Sequence, residues 1–113
     1  MDMVAGQGAQ DLTIDLARPE DLPAIVAMFA ADSLGGHGDT SDPASLALYT
    51  AAFEAIAASP ATDLLVARRD GRVVGTYQLI VTPSIAGRGA IRAILEGVQV
   101  APDMRGQGIG AAW

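Results

Sequence analysis

The chain has 113 residues, room for one domain with a single core, and half of its residues are hydrophobic. It carries 13 acidic against 7 basic side chains, a net charge of -6, with 4% aromatics and no basic run longer than Arg68-Arg69, so the cationic stripe and stacking platforms of a nucleic-acid surface are excluded. Cysteine is absent, His37 is the single histidine and every basic residue is an arginine; disulfides, thiolate chemistry, multi-histidine metal sites, the lysine-dependent phosphate loop and Schiff-base catalysis are all excluded.

Residues 1–11, beginning MDMVAGQGAQ, show no periodicity and read as a flexible lead, with the folded domain expected over 12–113. In LTIDLAR, Leu12, Ile14 and Leu16 alternate with Thr13, Asp15 and Ala17, the period of a half-buried strand. Pro19 breaks the strand and suits the first turn of a helix, where Glu20 and Asp21 favour the positive end of the dipole. Leu22, Ile25, Val26 and Phe29 then share one helical face. After the polar stretch DSLGGHGDTSD, Asp42 is placed to cap and Pro43 to open a second helix, whose Leu46, Tyr49, Phe53 and Ile56 recur every three or four residues until Ser59-Pro60.

From Asp63 the pattern turns to strands. LLVARR and RVVGTYQLIV flank Asp70-Gly71, a pair that primed hairpin turns prefer, and PSIAGRG reverses the chain again into AIRAILEGVQV. The predicted order is strand, helix, helix, and a three-strand antiparallel meander that feeds a glycine-rich turn. No apolar run is long enough for a bilayer span and no signal segment leads the chain, so a soluble, cytoplasmic protein without membrane partners is expected. The acidic balance suits a cationic small molecule.

The glycine turn carries the chemistry. A strand that ends in a short loop, glycines and a helix start aims several unpaired backbone N–H groups at one point, which favours an anion such as a pyrophosphate. Arg105 adds a guanidinium that can fork onto phosphate oxygens. Gly106, Gly108 and Ala111 also satisfy the loose dinucleotide pattern G-x-G-x-x-A, but an antiparallel meander precedes them where a parallel unit is required.

Arg105-Gly106-Gln107-Gly108-Ile109-Gly110 matches R-x-x-G-x-G and, with the preceding VQVAPDM, resembles the acetyl-CoA-binding motif of the GNAT superfamily of N-acetyltransferases. ARPEDLPAIVAMF resembles that family's first strand and helix, and LEGVQV its fourth strand, so the likeness runs from about Leu12 to Trp113. It implies an α+β, mixed-sheet fold of which this chain holds the front portion, ending at the start of the CoA-binding helix. It also implies transfer of an acetyl group from the cosubstrate acetyl-CoA to a small-molecule or peptide amine, in a ternary complex without a protein nucleophile. By that resemblance the turn from Arg105 through Gly106, Gln107, Gly108, Ile109 and Gly110 holds the pyrophosphate, while the main chain of Val98, Gln99 and Val100 pairs with the pantetheine arm.

Members of the family often carry a glutamate on this strand, which makes Glu96 the candidate base. Its phase matches Ile94, Val98 and Val100, which would turn it toward an apolar face and raise its pKa, unless a bulge at Gly97 alters that phase. His37, in the loop between the helices, is the candidate acceptor contact, and Tyr49 and Tyr77 read as core or cleft wall. The tyrosine that often protonates the departing thiolate in the family falls beyond Trp113. The alternative is a non-catalytic binding or structural module. Without a fifth strand, the edge of the fourth would be bare, and a homodimer or swapped assembly covering residues 94 to 100 is then expected.

Overall fold

The computed structural model describes residues 12–32 and 38–106. Strand β1 (Leu12–Leu16) leads through a 3-10 turn at Pro19–Asp21 into helix α1 (Leu22–Ala30). A second 3-10 turn, Pro43–Ser45, precedes helix α2 (Leu46–Ala58), and strands β2 (Thr62–Arg69), β3 (Arg72–Pro83) and β4 (Ile91–Val100) follow. The four strands form one antiparallel sheet in the order β1-β2-β3-β4, an α+β architecture with both helices on one face.

Local chemistry accounts for these boundaries. The Asp42 carboxylate accepts from the Ala44 amide at 3.3 Å, so the cap acts on the 3-10 turn that runs into α2. Asp70 and Gly71 hold φ of +53° and +78°, the pair of left-handed residues that a two-residue primed turn requires. On α1, Leu22, Ile25 and Val26 are buried and Phe29 is half-buried, the face expected from the 3.6-residue period, and Met28, outside that expected set, is buried too. Ile25 and Met28 pack on Val66 and Ala101, which fastens α1 across the middle of the sheet.

A charged clamp reinforces that contact. Asp21 is only 4% exposed, and its two carboxylate oxygens accept a bidentate fork from Arg68 on β2 at 2.6 Å each, while the Arg18 amide donates to the same carboxylate at 2.8 Å. The Arg68 fork, above all, holds the Asp21 carboxyl below the usual carboxylate range and raises the guanidinium in turn. Such a pair stays charged in a poorly hydrated place because each partner satisfies the other.

The alternation in β1 is real, and by register Leu12, Ile14 and Leu16 lie on the Ala67 face of the sheet, where Leu12 is half-buried against Ala67 and Val74 while Ile14 is 39% and Leu16 58% exposed. Asp15 takes the helix side instead, 3.6 Å from Arg68. The period identified a strand and left open which face is covered.

Candidate functional site

The site is built on β4, the last strand of the described sheet, and begins with an irregularity. Thr76 pairs with Gln99 and Gln78 with Glu96, so between these pairs β4 has one residue more than β3. The extra residue makes a bulge, with Gly97 at φ +62°. Glycine is required there twice over. The backbone is left-handed, and a Cβ on Gly97 would stand 3.1 Å from the Phe29 ring.

The bulge changes which residues share a face. Strict alternation would group Glu96 with Val98 and Val100. The extra residue instead groups Glu96 with Gln99, and both line a cavity of about 350 Å³ with Phe29 and Asp32 of α1 and its C-terminal end, Asp39, Gln78 and Gly97. Val100 turns to the opposite face, beside Ala67 and Val74. Glu96 is therefore exposed at a polar cavity wall, not set in the apolar face that plain alternation suggested.

Hydrogen bonds fix much of this wall. The Gln99 amide donates to Asp32 at 2.7 Å, tying β4 to the end of α1. Tyr49 of α2 donates its hydroxyl to Asp39 at 2.7 Å and accepts from the Thr40 amide at 3.2 Å. The Asp39 hydrogen bond is the main cause that raises the Tyr49 pKa, so Tyr49 stays a phenol at neutral pH. Gln78 donates to Thr62 at 3.1 Å. Asp32, Asp39 and Glu96 thus line one cavity together.

Beside the polar cavity lies a second space of about 170 Å³ between α1, α2 and the sheet, itself open to solvent beside Ala52. Its walls include Ile25, Val26, Phe29, Phe53, Ile56 and Leu64, and it shares Phe29, Asp39, Gln78 and Gly97 with the polar cavity. Of the α2 positions expected from the period, Tyr49, Phe53 and Ile56 face this space and are half-buried. Leu46, 49% exposed, borders a separate groove with Pro23 and Val26.

Past β4, the Ala101 amide donates to the Val74 carbonyl at 2.8 Å, and a 3-10 turn at Pro102–Met104 follows. Arg72 forks onto Asp103 with two bonds of 2.8 Å and pins this turn to the start of β3. Arg105 is exposed and donates from Nε to the Val100 carbonyl at 3.2 Å, and Gly106 takes φ +81°. Arg105 thus stands at the end of the strand whose outer edge carries the main chain of Val98 to Val100. Gln107, Gly108, Ile109 and Gly110 of the motif, and His37, lie outside the described residues.

The Acetyltransferase (GNAT) family profile matches residues 23–112, most of the chain. The chain belongs to the GNAT family of acetyltransferases. Solved structures agree with this assignment. A Bacillus halodurans protein described as a transcriptional regulator is 35% identical with a TM-score of 0.82, the match covering 88% of this chain and 67% of that one. An Agrobacterium tumefaciens protein provisionally described as an acetyltransferase is 26% identical with a TM-score of 0.69, covering 87% and 65%. A Trypanosoma brucei acetyltransferase, 24% identical with a TM-score of 0.62 over 90% and 68%, shares the fold. The GNAT chain described here spans about two thirds of the length of these structures. No curated protein matches it. No described helix is long and apolar enough to cross a membrane.

Within this GNAT domain, sequence reasoning reached β4 and the glycine turn but missed Asp32, Asp39 and Gln78. A signal existed for Gln78, a polar residue on the inward phase of a largely apolar strand. Asp32 and Asp39 lie at the two ends of the loop from which only His37 was singled out, and their convergence on β4 is a tertiary fact.

Proposed function

We propose that the chain is an acetyl-CoA-dependent N-acetyltransferase domain whose acceptor is a cationic amine. The observation that carries this reading is the position of the Gly97 bulge, between the main-chain edge at Val98–Val100 and a cavity lined by Asp32, Asp39 and Glu96. Family membership supports the acetyl donor, and the carboxylates favour a positively charged acceptor.

The reaction forms an amide bond between the amine nitrogen and the acetyl carbon and breaks the thioester C–S bond. The electron pair leaves with sulfur. An alkylammonium has a pKa of about 10, so at neutral pH the acceptor must first give up a proton. In this reading Glu96 takes it, directly or through water, at the mouth of the cavity. An amide of β4 near the bulge steadies the oxyanion of the tetrahedral intermediate, and the turn beginning at Arg105 and Gly106 holds the pyrophosphate.

Calorimetric titration of acetyl-CoA into the folded chain tests the reading. Saturable binding that Arg105→Ala abolishes supports it, and absence of binding overturns it for this chain. A second reading rests on β4 itself, an edge strand with Ile94, Leu95 and Val98 exposed at 47%, 51% and 45%. It is a non-catalytic module that dimerises through residues 94 to 100. A strictly monomeric mass in light scattering sinks that alternative.

A further inference from the structure

We infer that the acceptor amine carries a compact apolar group, the size of a phenyl ring or a short branched alkyl chain, which enters the space between α1 and α2 while its ammonium stays among the carboxylates. This rests on the transferase reading and narrows its substrate class. Two adjoining spaces of opposite character share Phe29, Asp39, Gln78 and Gly97.

The inner space, about 170 Å³, is lined chiefly by aliphatic and aromatic side chains. The space is a groove with one open side, and its apolar walls favour a small hydrocarbon group that covers them from water. Its polar lining residues are Asp39, Tyr49 and Gln78, of which Asp39, held by the Tyr49 hydroxyl, and Gln78, held by Thr62, also line the outer cavity. A ligand that spans both spaces therefore needs a cationic head and an apolar body. An amine with a polar or sugar-like body would leave hydroxyl groups unpaired against Ile25, Phe53 and Ile56.

The shared residues also set the reach. Phe29 lies against Gly97, so the passage between the two spaces runs beside the bulge that brings Glu96 to the outer cavity. An apolar body seated behind Phe29 keeps its amine within the polar opening and away from the sheet core. Ala52, exposed on α2 yet part of the inner wall, is where a larger side chain could fill the space without displacing the core cluster of α1 and β2.

The test is a two-dimensional amide NMR titration of the full chain with benzylamine, benzyl alcohol and methylamine, without acetyl-CoA. Benzylamine should bind about tenfold or more tightly than methylamine, since even one methylene in an apolar pocket can be worth that much. It should also bind more tightly than benzyl alcohol, with shifts centred on Phe53 and Ile56. Ala52→Phe should bring benzylamine down to the level of methylamine, and Asp39→Asn should weaken both amines while sparing benzyl alcohol. Equal affinity for the two amines overturns the inference, and this wild-type comparison decides even if a variant fails to fold. A benzylamine advantage that persists in a folded Ala52→Phe chain also overturns it. Because the donor is absent from these titrations, failure to bind acetyl-CoA in the separate calorimetry counts against the transferase reading and leaves the pocket measurement intact.

Discussion

Replacing Gly97 by alanine separates two contributions that glycine makes to the site. Gly97 and Gly71 have φ of +62° and +78°, so an added Cβ incurs left-handed strain of about 1–2 kcal/mol at either position. At Gly71 nothing lies within 4 Å of the new atom, which makes Gly71→Ala a measure of backbone strain alone. At Gly97 the new atom meets Phe29 Cζ at 3.1 Å, closer than the ~3.5 Å of relaxed carbon contacts. The ring must therefore move by about half an ångström, and it packs on the cluster of Ile25, Met28, Val66 and Ala101. Overpacking of this kind costs a further ~1–3 kcal/mol. Urea denaturation, with m-values checked for constancy, should show Gly97→Ala to be the more destabilising substitution by about 1 kcal/mol or more. In the Phe29→Leu background the excess should vanish. Equal costs at positions 71 and 97, or an excess that survives Phe29→Leu, would refute the argument that the bulge and the ring are fitted to each other.

The Asp21–Arg68 clamp makes a prediction with a defined pH dependence. Asp21→Ala should destabilise the chain by about 3 kcal/mol at neutral pH, because it leaves the Arg68 guanidinium without its fork. A carboxyl whose folded pKa is lowered stabilises fully above its unfolded pKa of about 4, and that stability is lost as pH falls through the folded value. The gap between parent and variant should thus be flat from about pH 5 to 7 and shrink only under more acid conditions; a gap unchanged to about pH 2 contradicts the assignment. For catalysis, Glu96→Gln in an active form should lower kcat/KM by about 100-fold or more, and an unchanged kcat/KM removes Glu96 as the base.

The helices and hairpins were legible because their determinants are local. Pro19, Pro43, Asp42 and the pair Asp70-Gly71 each act through the backbone within a few residues, and each appears where its chemistry predicts. The apolar period of α1 was legible because a helix packed on one side has a single buried face. β1 shows the limit of period two, since Ile14 and Leu16 alternate correctly and yet stand on the exposed side. β4 shows a second limit. One extra residue at Gly97 exchanges the faces of everything beyond it, so the expected grouping of Glu96 with Val98 and Val100 gives way to the exception that a bulge at Gly97 was expected to make. The carboxylates of Asp32 and Asp39 were hidden for a different reason, as they approach Glu96 only through the crossing of α1 and α2 over the sheet.

Helix α2 contains no fully buried residue, whereas β2 and β3 hold Val66, Ala67, Val74 and Thr76 at 1% exposure or less. Few apolar contacts resist the detachment of this helix, so its amides exchange with solvent through local opening while those of the central strands wait for global unfolding. A molecule seated beneath α2 binds only the closed form. It adds RT ln(1 + [L]/Kd) to the opening free energy, and exchange along Leu46–Ala58 slows by the factor 1 + [L]/Kd, the inverse of the unoccupied fraction. The helix thereby turns occupancy into a clock, readable residue by residue on a segment distant in sequence from Glu96 and Arg105.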